Sequence, residues 1–223
     1  MGTFVHRLTG IVMHLVPGGA FVLGQDDALP RELPRQTCQL APFLVGRFPV
    51  LQREWDLLPG DDQRAHVGGS LPISGVSWAS ARAWLASAGL RLPSEREWEA
   101  ACRAGSTQAY PWGTGLDGRA AWFLENSGGA PRDCTLHVQQ PNAFGLVDMP
   151  GNVSEWCEDD LDLPGEGSSW QEGDPGKVHR GGSFDAPSIQ LRSSFRGGSD
   201  PTKAYPDLGL RAFADVFRDE AAP

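Results

Sequence analysis

The sequence predicts an α+β domain made of small antiparallel sheets, two main helices and much irregular structure. Three observations carry that expectation. Gly and Pro, 28 and 18 of 223 residues, are frequent enough to make turns and irregular loops a large share of the chain. Short apolar runs with strand character lie near both ends, whereas helical spacing is confined to the stretch between residues 50 and 105. Eight Trp residues supply rigid anchors for a core that so few regular elements would not fill alone.

Taken in order, Ile11 to Val16 and Ala20 to Leu23 flank Pro17-Gly18-Gly19 and read as two strands joined by a tight turn. Thr37 to Leu40 and Phe43 to Arg47 read as two more, separated by Pro42. Leu51, Trp55 and Leu58 recur at helical spacing until Pro59-Gly60 ends the run. Ser77 can cap a helix whose inner face is Trp78, Ala81, Leu85 and Ala88, stopped by Gly89. Ser94 and Glu97 form a capping box, followed by a face of Trp98, Ala101 and Cys102 and a stop at Gly105. Residues 105–180 offer few regular elements, and strands near Val178 to Ser183 and Leu208 to Val216 close the chain. No repeat or low-complexity linker divides residues 1–223, so one domain with both ends in a sheet is the simplest organisation.

The net charge of -9 argues against nucleic acid and anionic membrane surfaces as partners. No apolar stretch reaches the roughly 18 residues of a membrane span, and the opening MGTFVHRLTGIVMHLVPGG has too short and broken an apolar run for a signal peptide. A cytoplasmic protein without membrane insertion is therefore expected. Cys38, Cys102, Cys134 and Cys157 show no CxxC spacing and indicate no zinc site. A reducing compartment makes free thiols the default, with a Cys102–Cys157 pair left open if helix and loop meet.

Two C-terminal segments carry the chemistry. Pro141 to Trp156, PNAFGLVDMPGNVSEW, gathers Asn142, Gly145, Asp148, Gly151, Asn152 and Glu155 among apolar anchors. That mix suits an ordered loop whose oxygens converge, as a hard cation such as Ca2+ requires. Arg180 to Arg211 opens RGGSF, closes LGLR and contains no cysteine. Its Arg180, Arg192, Arg196 and Arg211 are expected to be scaffold cations paired with carboxylates rather than an anion site.

Read together, VPGGAFVLG (16–24), PFLVGRFPV (42–50), ISGVSWASARAWL (73–85), RLPSEREWEAACRAG (91–105), YPWG (110–113), the 141–156 block, RGGSF (180–184), LRSSFR (191–196) and LGLR (208–211) form an ordered set. The set resembles the formylglycine-generating enzyme (sulfatase-modifying factor) domain family along almost the whole chain. The resemblance implies a C-type-lectin-like fold. It also implies Ca2+ at the 148–155 block, with side-chain oxygens from Asp148 and Glu155 and carbonyls from Gly151 and Val153. The alternative is a metal-free loop in which Glu155 accepts from backbone N–H groups. A further calcium site of enzyme members, between the Trp112 region and Pro141, is not matched here.

Catalytic members of that family place two copper-binding cysteines after RGGSF. Here GGSFDAPSIQLRSSFR has none, and its alanine and leucine cannot replace the thiolates that hold Cu(I). Copper is therefore not expected. The iron-dependent sulfoxide synthases of the same superfamily use a His-x3-His-x-Glu set, and His6, His14, His66, His137 and His179 have no such spacing. The frame is similar to that of the variable proteins of diversity-generating retroelements, in which a fixed scaffold displays randomised positions. That similarity makes Phe184, Asp185, Ala186, Ser188, Ile189, Phe195, Gly197, Gly198, Ser199, Asp200, Thr202, Ala204, Tyr205 and Asp207 the expected ligand-contacting set. The expectation is a non-catalytic protein that binds a macromolecule or a small ligand through 184–207. The alternatives are a formylglycine-generating-like or other oxygen-dependent enzyme, or a structural or regulatory pseudoenzyme.

Overall fold

Strands from near both ends of the described chain share one sheet. In the computed structural model, which describes residues 2–26, 29, 32, 34–136, 140–161 and 176–216, strands β1 (Thr3–Val5), β2 (Val12–Val16), β5 (Phe43–Gly46) and β10 (Phe213–Asp215) lie side by side in the order β1-β2-β5-β10. All three pairings are antiparallel.

The turn expected at Pro17-Gly18-Gly19 does not close a hairpin. β3 (Gly19–Leu23) leaves β2 and pairs with β4 (Gln36–Leu40) as a separate two-stranded sheet. The reason lies at Gly18, where an added Cβ would stand 2.8 Å from the Pro42 ring. Two backbone segments cross there, and the crossing hands the chain from one sheet to the other.

The third sheet carries the C-terminal segments. β6 (Ser154–Leu161) lies between β7 (Gly176–Arg180) and β9 (Leu208–Gly209), with β8 (Gly197–Ser199) on the far side of β7. Its β6–β9 pairing is parallel, an exception to the antiparallel expectation.

Helix α1 (Gln52–Trp55) is a single turn, shorter than the spacing through Leu58 predicted. Its Trp55 stacks on Trp84 with ring centroids 5.1 Å apart. In α2 (Trp78–Ser87), Ser77 Oγ accepts from the Ser80 amide, and Ala81, Trp84 and Leu85 face the core. Trp84 was absent from the expected inner face. Trp78 sits at the edge instead, under the cations of Arg82 and Lys177.

Helix α3 (Glu95–Arg103) begins with the expected capping box: Glu97 Oε2 accepts from the Ser94 amide at 2.8 Å, and Ser94 Oγ from the Glu97 amide at 3.3 Å. It ends one residue earlier than expected, with Ala104 left-handed at φ 47° before Gly105. Trp55, Trp84, Trp98 and Trp156 are fully buried and anchor the core on both sides of these helices.

All four cysteines are buried and free, so Cys102 and Cys157 do not pair. Burial pushes the Cys102 thiol up to about 12, against the smaller pull of Ser193 and Arg103, so it carries no reactive thiolate.

Candidate functional site

The four arginines of the 180–211 frame pair with carboxylates, as expected. Arg180 reaches Glu99 at 2.7 Å and Glu95 at 3.2 Å on α3, and donates to the carbonyls of Ser193 and Ser194. Arg196 makes a bidentate contact with Glu95 at 2.6 and 2.8 Å. Arg192 does the same with Glu32 at 2.9 and 3.2 Å. Arg211 closes on Glu155 at 2.8 Å. Together these pairs fasten residues 180–211 to α3, to β6 and to Glu32.

Inside the frame, the positions near which catalytic relatives need thiolates are apolar and closed. Leu191, in the 3-10 turn Ser188–Leu191, is fully buried against Tyr110, Ala121 and Phe123. Ala186 is buried too, and its carbonyl accepts from the Leu124 amide at 3.1 Å, at the start of α4 (Leu124–Ser127). Among the described residues, no three His, Cys, Asp or Glu side chains converge on one point. His137 lies outside the described residues.

The expected ligand-contacting set divides in two. Phe184, Ala186 and Phe195 are each 5% exposed, and Gly197 and Ser199 are also buried. They form core and sheet rather than surface, which corrects the expectation for those five. Phe184 packs edge-on to His66 at 5.7 Å. At Gly197 a Cβ would overlap the His179 ring, so a side chain there would have to displace that ring.

The other members do reach solvent. Asp185, Ile189 and Thr202 are exposed, while Ser188, Gly198, Asp200, Ala204, Tyr205 and Asp207 are half-buried. Asp207 Oδ2 accepts from Ser183 Oγ at 2.6 Å and brings the 200–207 loop against the 183–189 segment. Tyr205 rests edge-on against Trp156 at 6.5 Å. His66 adjoins this face and was not anticipated, because the loop carrying it has no motif or periodicity.

The second segment forms a tight loop. Asp148, Gly151 and Asn152 have φ of 54°, 87° and 65°, all in the left-handed region. The Gly151 amide donates to Gly181 O at 2.9 Å and the Asn152 amide to Trp122 O at 2.7 Å, clamping the loop between two neighbours. Asp148, Gly151, Val153 and Glu155 are all buried.

Both carboxylates already have protein partners. Asp148 accepts from Arg132 at 2.8 Å and from Asn152 Nδ2 at 3.0 Å. Glu155 accepts from Arg211 and from Trp98 Nε1 at 2.7 Å, not from backbone N–H groups. Burial pushes the Glu155 carboxyl up, while Arg211 and Trp98 pull it back toward its ionised form. The residues as arranged do not fit Ca2+, which takes about six to eight free oxygen ligands. Two guanidinium groups occupy this carboxylate pair.

Comparison with known proteins agrees with this architecture. The formylglycine-generating enzyme of Thermomonospora curvata is 29% identical over 282 residues, spanning 91% of this chain and 93% of that protein. The structure of PvdO from Pseudomonas aeruginosa superposes with a TM-score of 0.80 at 26% identity, covering 96% of this chain and 98% of that one. Treponema denticola variable protein 1 superposes with a TM-score of 0.78 at 23% identity over the same shares, a likeness of fold. The model of the sulfatase-modifying factor enzyme 1-like domain matches residues 5–216, and the chain belongs to that family.

Proposed function

We propose that this chain is a non-catalytic binding protein that presents the 185–189 and 200–207 segments on the rigid family scaffold. One observation carries the reading: Ala186 and Leu191 fill, with buried hydrocarbon, the part of the frame where an oxygen-activating member needs thiolates. What reaches solvent beside that plug is exposed Asp185, Ile189 and Thr202 with half-buried Ser188, Tyr205 and Asp207, a mixture of acidic, apolar and aromatic groups. Asp185, Asp200 and Asp207 outnumber Lys203 on this face, so the complementary partner is a basic macromolecular surface with an apolar centre.

The retroelement reading is the more specific form of this proposal. The likeness of fold to a variable protein supports it, and burial narrows the positions free to vary to those that reach solvent. A near-copy of the 180–211 coding region beside a reverse transcriptase gene is the expected genomic context. Its absence would leave a binding domain with a fixed surface.

The direct test has two arms. Peptides selected from a random display library against the full chain should lose at least tenfold in affinity to Ile189→Asp and to Asp185→Arg, with unchanged melting. Incubation with copper, oxygen, a thiol reductant and a Cys-x-Pro-x-Arg peptide should give no aldehyde. An aldehyde product would overturn the non-catalytic reading.

A further inference from the structure

We infer that Arg132 takes the place of a divalent cation at the 148–155 loop, so that the loop holds its shape without calcium and Arg132 keeps metal out. The inference does not depend on the binding reading.

Arg132 is built into the loop from both sides. Its amide donates to Asn152 Oδ1 at 3.0 Å, and its carbonyl accepts from Asn152 Nδ2 at 3.1 Å. Its guanidinium lies 5.4 Å from the Trp122 ring centroid and 2.8 Å from Asp148 Oδ1, with side chains 11% and 1% exposed. The second Asp148 oxygen is taken by the same Asn152 amide. Arg132 and Asn152, tied to each other, therefore place a donor on each oxygen of the carboxylate that a cation would need.

Charge leads to the same conclusion. Asp148 and Glu155 bring two negative charges, and Arg132 and Arg211 bring two positive ones. Arg211 is fully buried and also donates to the carbonyls of Gly46, Arg47, Val147 and Asp148, so it cannot turn aside. A divalent ion added to this neutral, desolvated cluster would leave two positive charges uncompensated. Arg132 is the member that can be removed, since Asp148 lines a cavity of about 490 Å3 that opens to solvent beside Trp112 and Asn142. Without Arg132, that cavity becomes an entry path to an unpaired carboxylate.

The wild-type chain should melt at the same temperature in chelator and in millimolar Ca2+, and should give no Tb3+ luminescence on tryptophan excitation. Arg132→Met in chelator should melt about 5–10 °C lower, because it strands a buried carboxylate. Ca2+ should restore part of that loss, and Tb3+ luminescence should appear through Trp122. The Arg132→Met, Asp148→Ala double variant should show neither response. Arg132→Lys, which keeps the charge, should stay blind to metal. A wild-type melting temperature that falls on chelation would overturn the inference. So would wild-type Tb3+ luminescence that Asp148→Ala abolishes, or an Arg132→Met variant that melts like wild type in chelator. If Arg132→Met does not fold, the wild-type and Arg132→Lys measurements decide alone.

Discussion

Arg211, two residues beyond β9, closes on Glu155 of β6 with both side chains out of water, joined at 2.8 and 3.0 Å. Exchanging the pair together for apolar residues can be neutral in other proteins, but removing one partner strands the other's charge. Arg211→Met should therefore cost about 3–5 kcal/mol. It also removes a donor from each of the carbonyls of Gly46, Arg47, Val147 and Asp148, of which Arg47 O keeps the Val147 amide. Burial already raises the Glu155 carboxyl, and in the variant nothing cationic opposes that rise. A raised acid is most stable while protonated, so the variant's deficit should shrink in mildly acid buffer and grow in alkaline buffer. Urea melts at two pH values would check the size and the sign.

Phe195 and Ile189 should respond in opposite ways. Phe195 is 5% exposed and Ile189 is 42% exposed, although both belong to the segment whose composition suggests a binding surface. Phe195→Ala should cost about 3–5 kcal/mol through the cavity it leaves. Ile189→Ala should change stability by no more than about 0.5 kcal/mol, while weakening the selected peptides. Thermal melts paired with titrations separate the two effects.

Gly197 gives the sharpest limit on variation in this surface. A Cβ there would overlap the His179 ring on the neighbouring strand, and that ring is itself packed edge-on to Trp156 at 6.2 Å. Gly197→Ser should therefore destabilise by about 1–3 kcal/mol, as overpacking does. If gene copies with altered variable segments are sequenced, position 197 should hold glycine in all of them. A folded natural copy with a side chain at 197 would refute the assignment of that position to the scaffold.

The difference between legible and illegible residues follows from range. Ser94 and Glu97 reveal their capping box because both partners lie within one helical turn. The pairing of Arg180, Arg192, Arg196 and Arg211 is readable as a class, since an apolar frame rich in arginine needs carboxylates, but Glu32 and Glu99 as partners are not. Arg132 escapes notice because it sits in an irregular stretch, 16 residues from Asp148 and outside every recognisable block. Burial of Phe184 and Phe195 is hidden for a related reason. Without a repeat of two or 3.6 residues, alternation cannot tell inside from outside. The expected hairpin at Gly18 fails because the crossing with Pro42 is a tertiary contact, while turn residues report only local geometry.

Glu54 makes stability depend on pH in a narrow window. Its carboxylate accepts from the Leu51 amide at 2.9 Å at the start of α1. Burial nevertheless raises its pKa from 4.5 to about 6, against the lowering effects of that amide and of Arg53. Below the unfolded value both states hold the proton and the full stability is present. As pH rises through the folded value, the carboxyl must ionise in a poorly solvated place, and stability is lost. At about 1.4 kcal/mol per unit, the loss is on the order of 2 kcal/mol by neutral pH. Glu54→Gln keeps an acceptor for the Leu51 amide and has no charge to desolvate. Denaturant melts across the window should therefore show a falling curve for wild type and a flatter one for the variant, with the variant more stable at neutral pH. Parallel curves would mean that Glu54 ionises as freely in the fold as in the unfolded chain.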